Sequence, residues 1–170
     1  MVSNMSSSYY DEIARGYDEL HKEEQLAKLD FIKSLQLIFQ GDRLLDVGCG
    51  TGFSLDYFSH IKAIGIDPSK KLLEQYKGEQ KTLVASAEEL PFSNNYFDII
   101  ISVTAMQNFT DIPKSLNEIK RCGKERFILS MLKHSPKREL VVSQLKTIFQ
   151  GFIIEEKEFN QDVFFIIIKY

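Results

Sequence analysis

Apolar residues recur along the chain in two alternating patterns, which together predict a sheet covered by helices. Short, nearly continuous apolar runs are typical of strands that are buried on both faces. Other stretches place apolar residues three or four positions apart, as expected of a helix, for example at Leu26, Leu29, Ile32, Leu35 and Phe39. Because the two patterns alternate, the sequence predicts an α/β fold with a parallel sheet and helices on both of its faces.

Seven strands and six helices follow from these patterns. The predicted strands cover residues 43–47, 62–66, 81–84, 97–103, 126–131, 151–159 and 163–169. The predicted helices cover residues 10–20, 23–39, 54–60, 69–76, 113–121 and 136–149. Gly41 is predicted to end the second helix. Asn160 and Gln161 join the last two apolar runs tightly, so these strands are predicted to form an antiparallel hairpin.

The segment L-L-D-V-G-C-G-T-G, residues 44–52, carries the clearest functional signal. Gly48, Gly50 and Gly52 permit backbone angles and close approaches that a side chain would block. A helix that begins beside such a loop offers backbone N–H groups to a ligand. The third glycine comes one position earlier than in the dinucleotide fingerprint G-x-G-x-x-G. The loop therefore favours a nucleoside ligand without a pyrophosphate.

Two acidic residues restrict the chemical class of the ligand further. Asp46 lies beside the glycine loop, where a carboxylate repels phosphate and favours a cation or an ammonium group. Asp67 ends the second predicted strand, where a carboxylate can accept hydrogen bonds from both ribose hydroxyls. Asp67 followed by Pro68 also fits a simple helix N-cap. A nucleoside that carries a cationic amino acid fits both acids, and S-adenosylmethionine is such a compound.

With these motifs the chain resembles the class I S-adenosylmethionine-dependent methyltransferases, within the group that includes the ubiquinone and menaquinone biosynthesis methyltransferases. The resemblance covers about residues 9–132 and is strongest in residues 44–52, 64–69 and 85–102. It implies a Rossmann-like, three-layer α/β/α fold with strand order 3-2-1-4-5-7-6 and strand 7 antiparallel. It also implies S-adenosylmethionine as cofactor, S-adenosylhomocysteine as product, and methyl transfer by in-line displacement.

The resemblance assigns residues to the cofactor site. An N-terminal helical lid, predicted to span residues 9–40, would cover the cofactor with two tyrosines, and the backbone around Ala87 would contact the adenine. Ser86 stands where many relatives carry an acid that accepts from the adenine amine. The predicted cofactor-binding residues are Tyr10, Tyr17, Asp46, Gly48, Cys49, Gly50, Thr51, Gly52, Asp67, Pro68, Ser86, Ala87, Glu88, Ser102 and Val103.

Relatives bind the methyl acceptor after the fourth strand, which here corresponds to residues 102–109. The segment lacks the Pro-Pro clamp of enzymes that methylate exocyclic amines of bases. Gln107 and Asn108 are candidates to orient a polar acceptor, or else they cap the next turn. His134 is a candidate base, or else an exposed loop residue. Glu88 is alternatively the first residue of a helix.

The length and composition of the chain restrict the class of protein further. The 170 residues suffice for one domain, predicted to span residues 9–170 after a disordered segment of residues 1–8. No apolar stretch is long enough for a membrane span. The two cysteines and three histidines lack ligand spacing, which predicts reduced thiols, no metal site and a cytoplasmic protein.

Three functions remain open. The first is methyl transfer to an unidentified small molecule. The second is methylation of tRNA or rRNA, bound through the basic face of residues 114–146 and assisted by a small activator subunit. The net charge of −3 argues against nucleic-acid binding by the whole surface. The third is a non-catalytic subunit that retains the fold, although the intact motif residues Asp46, Gly48, Gly50 and Asp67 argue against a degenerate site.

Overall fold

One sheet of seven strands organises the molecule. The computed structural model describes the backbone of residues 7–170 and the side chains from residue 19 onward. The strands are β1 (Arg43–Val47), β2 (Lys62–Asp67), β3 (Lys81–Val84), β4 (Phe97–Ser102), β5 (Gly123–Leu132), β6 (Phe152–Phe159) and β7 (Asp162–Lys169). The helices are α1 (Ser7–Ser34), α2 (Phe53–Tyr57), α3 (Lys70–Leu73), α4 (Ile112–Cys122) and α5 (Arg138–Ile148), with a 3₁₀ turn at Met106–Asn108.

The strand order is β3-β2-β1-β4-β5-β7-β6, as the resemblance to the class I methyltransferases implies. Strands β1 to β5 pair in parallel, and β7 runs antiparallel to both of its neighbours. Strand β1 lies between β2 and β4. From β1 the chain adds β2 and β3 on one side of the sheet, and it then crosses over to add β4 and β5 on the other side. In sheets of this kind, ligands bind outside the carboxyl ends of the strands at that point.

Each face of the sheet is covered by its own apolar layer. On one face, helices α4 and α5 contribute buried side chains such as Leu116, Ile119 and Leu145. On the other face, α1 and α2 contribute buried side chains such as Ile32 and Leu55. Between these layers the central strands are buried on both sides, which explains their unbroken apolar runs.

Helix α1 differs from the prediction. A single helix, Ser7–Ser34, replaces the two helices predicted over residues 10–20 and 23–39, because no Gly or Pro interrupts residues 17–40. It ends early because Gln36 adopts a left-handed backbone with φ of 55°. Gly41 therefore lies in the following turn instead of ending the helix. The lid predicted over residues 9–40 falls on α1 and this turn, and the segment predicted to be disordered lies mostly outside the described residues.

Helices α2 and α3 are shorter than predicted. Helix α2 ends at Tyr57, after which the backbone continues in tight turns. Helix α3 begins one residue late, because the Ser69 side chain caps it by accepting from the Leu72 N–H. The bounds of the remaining elements lie within three residues of the prediction. In the part of the chain that the structure describes, no helix is long and apolar enough to cross a membrane.

Candidate cofactor site

A cavity of about 520 Å³ opens at the carboxyl ends of β1, β2 and β4, in the size range of small-molecule sites. Most predicted site residues meet there. Those that line it are Asp46, Gly48, Cys49, Gly50, Thr51, Asp67, Pro68, Ser86, Ala87, Glu88, Val103 and Asn108. The cavity also contains residues that the sequence did not assign to the site. They include Gln25 and Leu29 of α1, within the segment predicted as a lid, and the apolar residues Phe53, Leu72 and Phe109.

Six predicted site residues lie outside this cavity or have side chains that the structure does not describe. Gly52 is buried against the Tyr76 ring, and the buried Ser102 hydroxyl donates to the Val47 carbonyl at 2.7 Å. Gln107 and His134 line a separate hollow of about 550 Å³. The Gln107 amide is engaged there, because Nε2 donates to the Thr104 carbonyl at 2.7 Å. The side chains of Tyr10 and Tyr17 fall outside the described side chains.

The glycine loop is fixed to β2 and stays open to a ligand. The N–H groups of Gly48 and Cys49 both donate to the Ile66 carbonyl, at 2.8 and 2.9 Å. Gly48, Gly50 and Gly52 all have positive φ, at 82°, 55° and 88°, the region that glycine tolerates best. A Cβ on Gly50 would meet nothing within 4 Å. The backbone of Gly50 is therefore accessible for close approach of a bound molecule.

Asp67 connects the end of β2 to this loop. Its Oδ2 accepts from the Gly50 N–H at 3.0 Å, and its Oδ1 accepts from the Ser69 N–H at 2.8 Å. Ser69 and not Asp67 is the N-cap of α3, which corrects the N-cap alternative. Two backbone donors thus hold a carboxylate in a fixed orientation on the cavity wall, and its remaining lone pairs can accept from a ligand.

Asp46 is a buried carboxylate with one unsatisfied oxygen. Its Oδ2 accepts from the Ser54 hydroxyl, whereas Oδ1 has no hydrogen-bond partner among the residues that the structure describes. Burial raises the pKa of Asp46 to about 7; the Ser54 hydrogen bond opposes the rise, and the nearby Asp67 charge adds to it. A buried acceptor without a partner is unfavourable. The site therefore fits a ligand that brings a positive charge or a donor to Oδ1.

Further titratable side chains that line the cavity include the thiol of Cys49 and the carboxylate of Glu88. Burial, reinforced by the charges of Asp46 and Asp67, raises the pKa of the Cys49 thiol far above its usual range, so the thiol is a poor nucleophile. Glu88 Oε1 accepts from the N–H groups of Thr110 and Asp111 at 2.8 and 3.1 Å. Partial burial opposes ionisation of Glu88, but its backbone donors outweigh this and lower its pKa.

A buried ionic network lies directly behind the cavity wall. Lys28 of α1 is 1% exposed, and its Nζ lies 3.0 Å from Glu24 Oε1, 3.0 Å from Thr104 Oγ1 and 3.1 Å from Asp162 Oδ1. Asp162 Oδ2 accepts from the hydroxyls of Thr104 and Ser130, each at 2.7 Å. Thr104 lines the cavity with φ of 55°. The network holds this strained residue in place.

Metal binding finds no support in the described part of the chain, which contains no group of three or more His, Cys, Asp or Glu that could hold a metal ion. Cys49 and Cys122 are both buried free thiols. Burial raises the pKa of Cys122 to about 11, Arg121 opposes the rise, and Glu118 adds to it. These observations fit packing roles for both cysteines.

Comparison with known proteins identifies the family. The model of a methyltransferase domain family, type 11, matches residues 45–131, from β1 and the glycine loop through most of β5. The chain belongs to this methyltransferase family. As a family member it is similar to the demethylmenaquinone methyltransferase of Symbiobacterium thermophilum, at 33% identity over 141 residues, which cover 70% of this chain and 55% of that protein. The chain spans about half the length of the first curated relatives it matches.

Solved structures of other methyltransferases share the fold. A TehB-like S-adenosylmethionine-dependent methyltransferase of Corynebacterium glutamicum aligns with a TM-score of 0.73 at 18% identity, over 97% of this chain and 100% of that one. A Haloferax volcanii protein solved in complex with the Trm112 methyltransferase activator aligns with a TM-score of 0.66 at 17% identity, over 77% and 83% of the two chains. These similarities establish the predicted Rossmann-like architecture of this methyltransferase-family chain.

Proposed function

We propose that the protein is an S-adenosylmethionine-dependent methyltransferase that acts on a small-molecule acceptor. The observation that carries this proposal is the unsatisfied Oδ1 of Asp46, buried beside an open glycine loop in a cavity of small-molecule size. A cationic nucleoside supplies what this oxygen lacks. When bound, the cofactor provides a methyl group already activated by its sulfonium, and S-adenosylhomocysteine is the product.

Different cavity residues would bind different parts of this cofactor. Asp67, fixed by two backbone donors, would accept from the ribose hydroxyls. The open backbone at Gly50 would allow close approach, and Asp46 would receive the cationic amino-acid end. Ser86 and the backbone of Ala87 would contact the adenine. The lid roles of Tyr10 and Tyr17 and the contacts of the other predicted cofactor residues stay predictions.

Positioning is the main contribution that this site can make to catalysis. Holding two reactants in line and away from water can supply roughly 7–11 kcal/mol of a barrier. Leu29, Phe53 and Phe109 provide an apolar wall that limits water, and Asn108 is the acceptor-side candidate that lines the same cavity. We propose that Asn108 orients the acceptor. His134 and Gln107 line the separate hollow, which weakens the proposal of His134 as a base.

Calorimetric titration with S-adenosylmethionine tests the proposal. We expect binding by the unaltered protein and a loss of about 10–100-fold in affinity for Asp67→Ala, because charged hydrogen bonds contribute about 1.5–3 kcal/mol each. Asp56→Ala is the matched control, since Asp56 is exposed and lies outside the cavity. Equal affinities of the Asp67→Ala protein and the control protein would contradict the assignment of Asp67.

Transfer of labelled methyl groups into fractionated cell extract separates the remaining functions. Label in the small-molecule fraction supports the proposal, and label in RNA supports the RNA alternative. Cofactor binding without transfer to any fraction would indicate a non-catalytic subunit. This last outcome would contradict the proposed enzyme even if the cofactor site is correct.

The structure favours the small-molecule acceptor over RNA for one specific reason. Four cations of the predicted basic face form ion pairs with acids, at Arg121–Glu118, Lys124–Asp98, Arg126–Asp42 and Arg138–Glu158. Paired cations attract phosphates less than free ones do. An activator subunit stays a proposal that rests on the complex of the Haloferax protein. A cytoplasmic location is proposed from the two free thiols, which persist in reducing compartments.

A further inference from the structure

Two walls of the cofactor cavity come from helix α1 and from the segment after β4. His21, Gln25 and Leu29 follow one another at intervals of four residues, so they share one side of α1, and all three line the cavity. Thr104 and Ala105 line it from the segment after β4. The shape of the cavity therefore depends on how α1 is held against this segment.

Lys28 joins these two walls from behind. Its Nζ lies 3.0 Å from Thr104 Oγ1 and 3.1 Å from Asp162 Oδ1, and Lys28 itself is buried outside the cavity. Among the described side chains of α1 it is the first buried one along the helix, since those of residues 19–27 are exposed or half-buried. The turns of α1 that carry His21 and Gln25 therefore extend from this attachment.

Thr104 links this attachment to the glycine loop. Its hydroxyl contacts both Lys28 and Asp162, and it adopts a positive φ of 55°, a backbone conformation that β-branched residues rarely adopt. The next residue, Ala105, lies so near the glycine loop that a Cβ on Gly48 would meet the Ala105 Cβ at 2.9 Å. A shift of Thr104 would therefore reach the loop that we propose to hold the cofactor.

An ammonium group is a costly choice for packing alone. Its removal from water costs free energy, and replacement of a buried ion pair by apolar residues often leaves stability unchanged or raises it. Hydrogen bonds and ion pairs, however, depend on direction and distance, whereas apolar burial does not depend on direction. The contacts of Lys28 therefore fix α1 relative to Thr104 and Asp162 more narrowly than an apolar side chain of similar size would.

We propose that Lys28 is a positioning residue for the cofactor: it holds α1 and the segment after β4 in the relative arrangement that cofactor binding requires. This inference rests on the proposed function, because the ligand concerned is S-adenosylmethionine. Lys28 acts through Thr104 on one wall and through its helix neighbours Gln25 and Leu29 on the other. Cofactor affinity should therefore fall when Lys28 is replaced, even when the protein stays fully folded.

Calorimetric titration with S-adenosylhomocysteine compares Lys28→Met with the matched control Arg126→Met. Each substitution removes the cation of a largely buried ion pair, Lys28–Asp162 behind the cavity wall or Arg126–Asp42 away from the cavity, so both variants should lose stability. We expect Lys28→Met to bind about 3–30-fold less tightly, the range for a residue that acts on a site without contacting the ligand, and Arg126→Met to bind as the unaltered protein does. Unchanged affinity of Lys28→Met, or equal losses in the two variants, would overturn the inference.

Combining Lys28→Met with Asp162→Asn separates positioning from stability. The double variant buries neither charge of the pair, so it should regain part of the stability that Lys28→Met loses, as measured by urea unfolding. We expect its affinity for S-adenosylhomocysteine to stay low, because the link between α1 and Thr104 is still missing. Recovery of affinity together with stability would show that Lys28 has only a structural role.

Thr104 provides a milder test if Lys28→Met does not fold. Thr104→Val removes the hydroxyl that contacts Lys28, whereas Thr104→Ser retains it, so we expect weaker binding for Thr104→Val alone. Equal affinities of these two variants would contradict the inference. Binding by the unaltered protein is measured first: its absence contradicts the proposed function and the inference with it, whereas binding that is insensitive to changes at Lys28 and Thr104 contradicts the inference alone.

Discussion

Two buried aspartates in this molecule have opposite surroundings. Asp162 and Asp46 are 0% and 3% exposed. Asp162 accepts from two hydroxyls, and its Oδ1 lies 3.1 Å from the Lys28 ammonium, an ion pair without ideal hydrogen-bond geometry. Asp46 has only the Ser54 hydroxyl, and its second oxygen faces no partner. The difference separates a carboxylate that is held by partners within the fold from one that we propose to bind a ligand.

The two carboxylates should therefore contribute to stability with opposite signs. Removing one partner from a buried ion pair is strongly destabilising, because the other charge stays buried. A buried carboxylate with a pKa raised to about 7 instead opposes folding once it ionises. The region around Asp162 joins α1, β5, β7 and the loop after β4, whereas Asp46 lies in the wall of the proposed cofactor site.

The largest effect on stability is expected when Asp162 and Asp46 are each replaced by Asn, in two separate variants. At pH 7 we expect Asp162→Asn to lower the free energy of unfolding by about 3–5 kcal/mol. We expect Asp46→Asn to raise it by about 2–4 kcal/mol in the cofactor-free protein, because a neutral amide avoids the burial of charge. Urea unfolding measures both. Shifts of the same sign would remove the distinction between the two aspartates.

The second prediction concerns cofactor affinity and distinguishes backbone strain from blocked ligand access as the cause of its loss. Gly50 and Gly41 both have positive φ, and a Cβ on either meets nothing within 4 Å, but only Gly50 lines the cavity. We expect Gly50→Ala to weaken S-adenosylmethionine binding about tenfold or more, and Gly41→Ala to leave it unchanged. Both variants should lose similar stability through strain. A loss of affinity in both variants would point to strain and not to access.

The last effect is the pH dependence of the Asp46 contribution, which is small for each step of pH. The folded pKa of about 7 lies above the ordinary value of 3.8, so this contribution to stability is fully present below pH 4 and is lost as the pH rises through 7. The stability advantage of Asp46→Asn should therefore grow by about 1.4 kcal/mol per pH unit between these limits. Unfolding at several pH values measures it, and a constant advantage would show that Asp46 ionises normally.

The sequence was sufficient for the sheet and for the glycine loop because both depend on local patterns. Apolar runs and turn residues predict the seven strands, whereas their order follows from the resemblance to the class I methyltransferases. Gly48, Gly50 and Asp67 follow two neighbouring parallel strands, so they meet at one edge of the sheet. The helices were less predictable. Two helices were predicted where the structure has the single helix α1, although residues 17–40 contain no Gly or Pro that would separate two helices.

The network behind the cavity was not predictable from sequence. Lys28 and Thr104 are 76 positions apart, and Thr104 and Asp162 are 58 apart, so only the folded chain brings them together. Lys28 lies on a helix where a lysine ordinarily faces solvent. Likewise, Gln107 directly precedes the cavity residue Asn108 in the sequence, but the fold places Gln107 and His134 in the separate hollow.

Titration of S-adenosylmethionine into the unaltered protein and into Asp46→Asn at pH 8 tests the central claim most directly. Above pH 7 the Asp46 carboxylate is ionised and ready to receive a cation. We predict that Asp46→Asn, although more stable, binds the cofactor at least about tenfold less tightly, because the amide lacks the charge. Equal affinity of the two proteins, or no binding by the unaltered protein, would contradict the account.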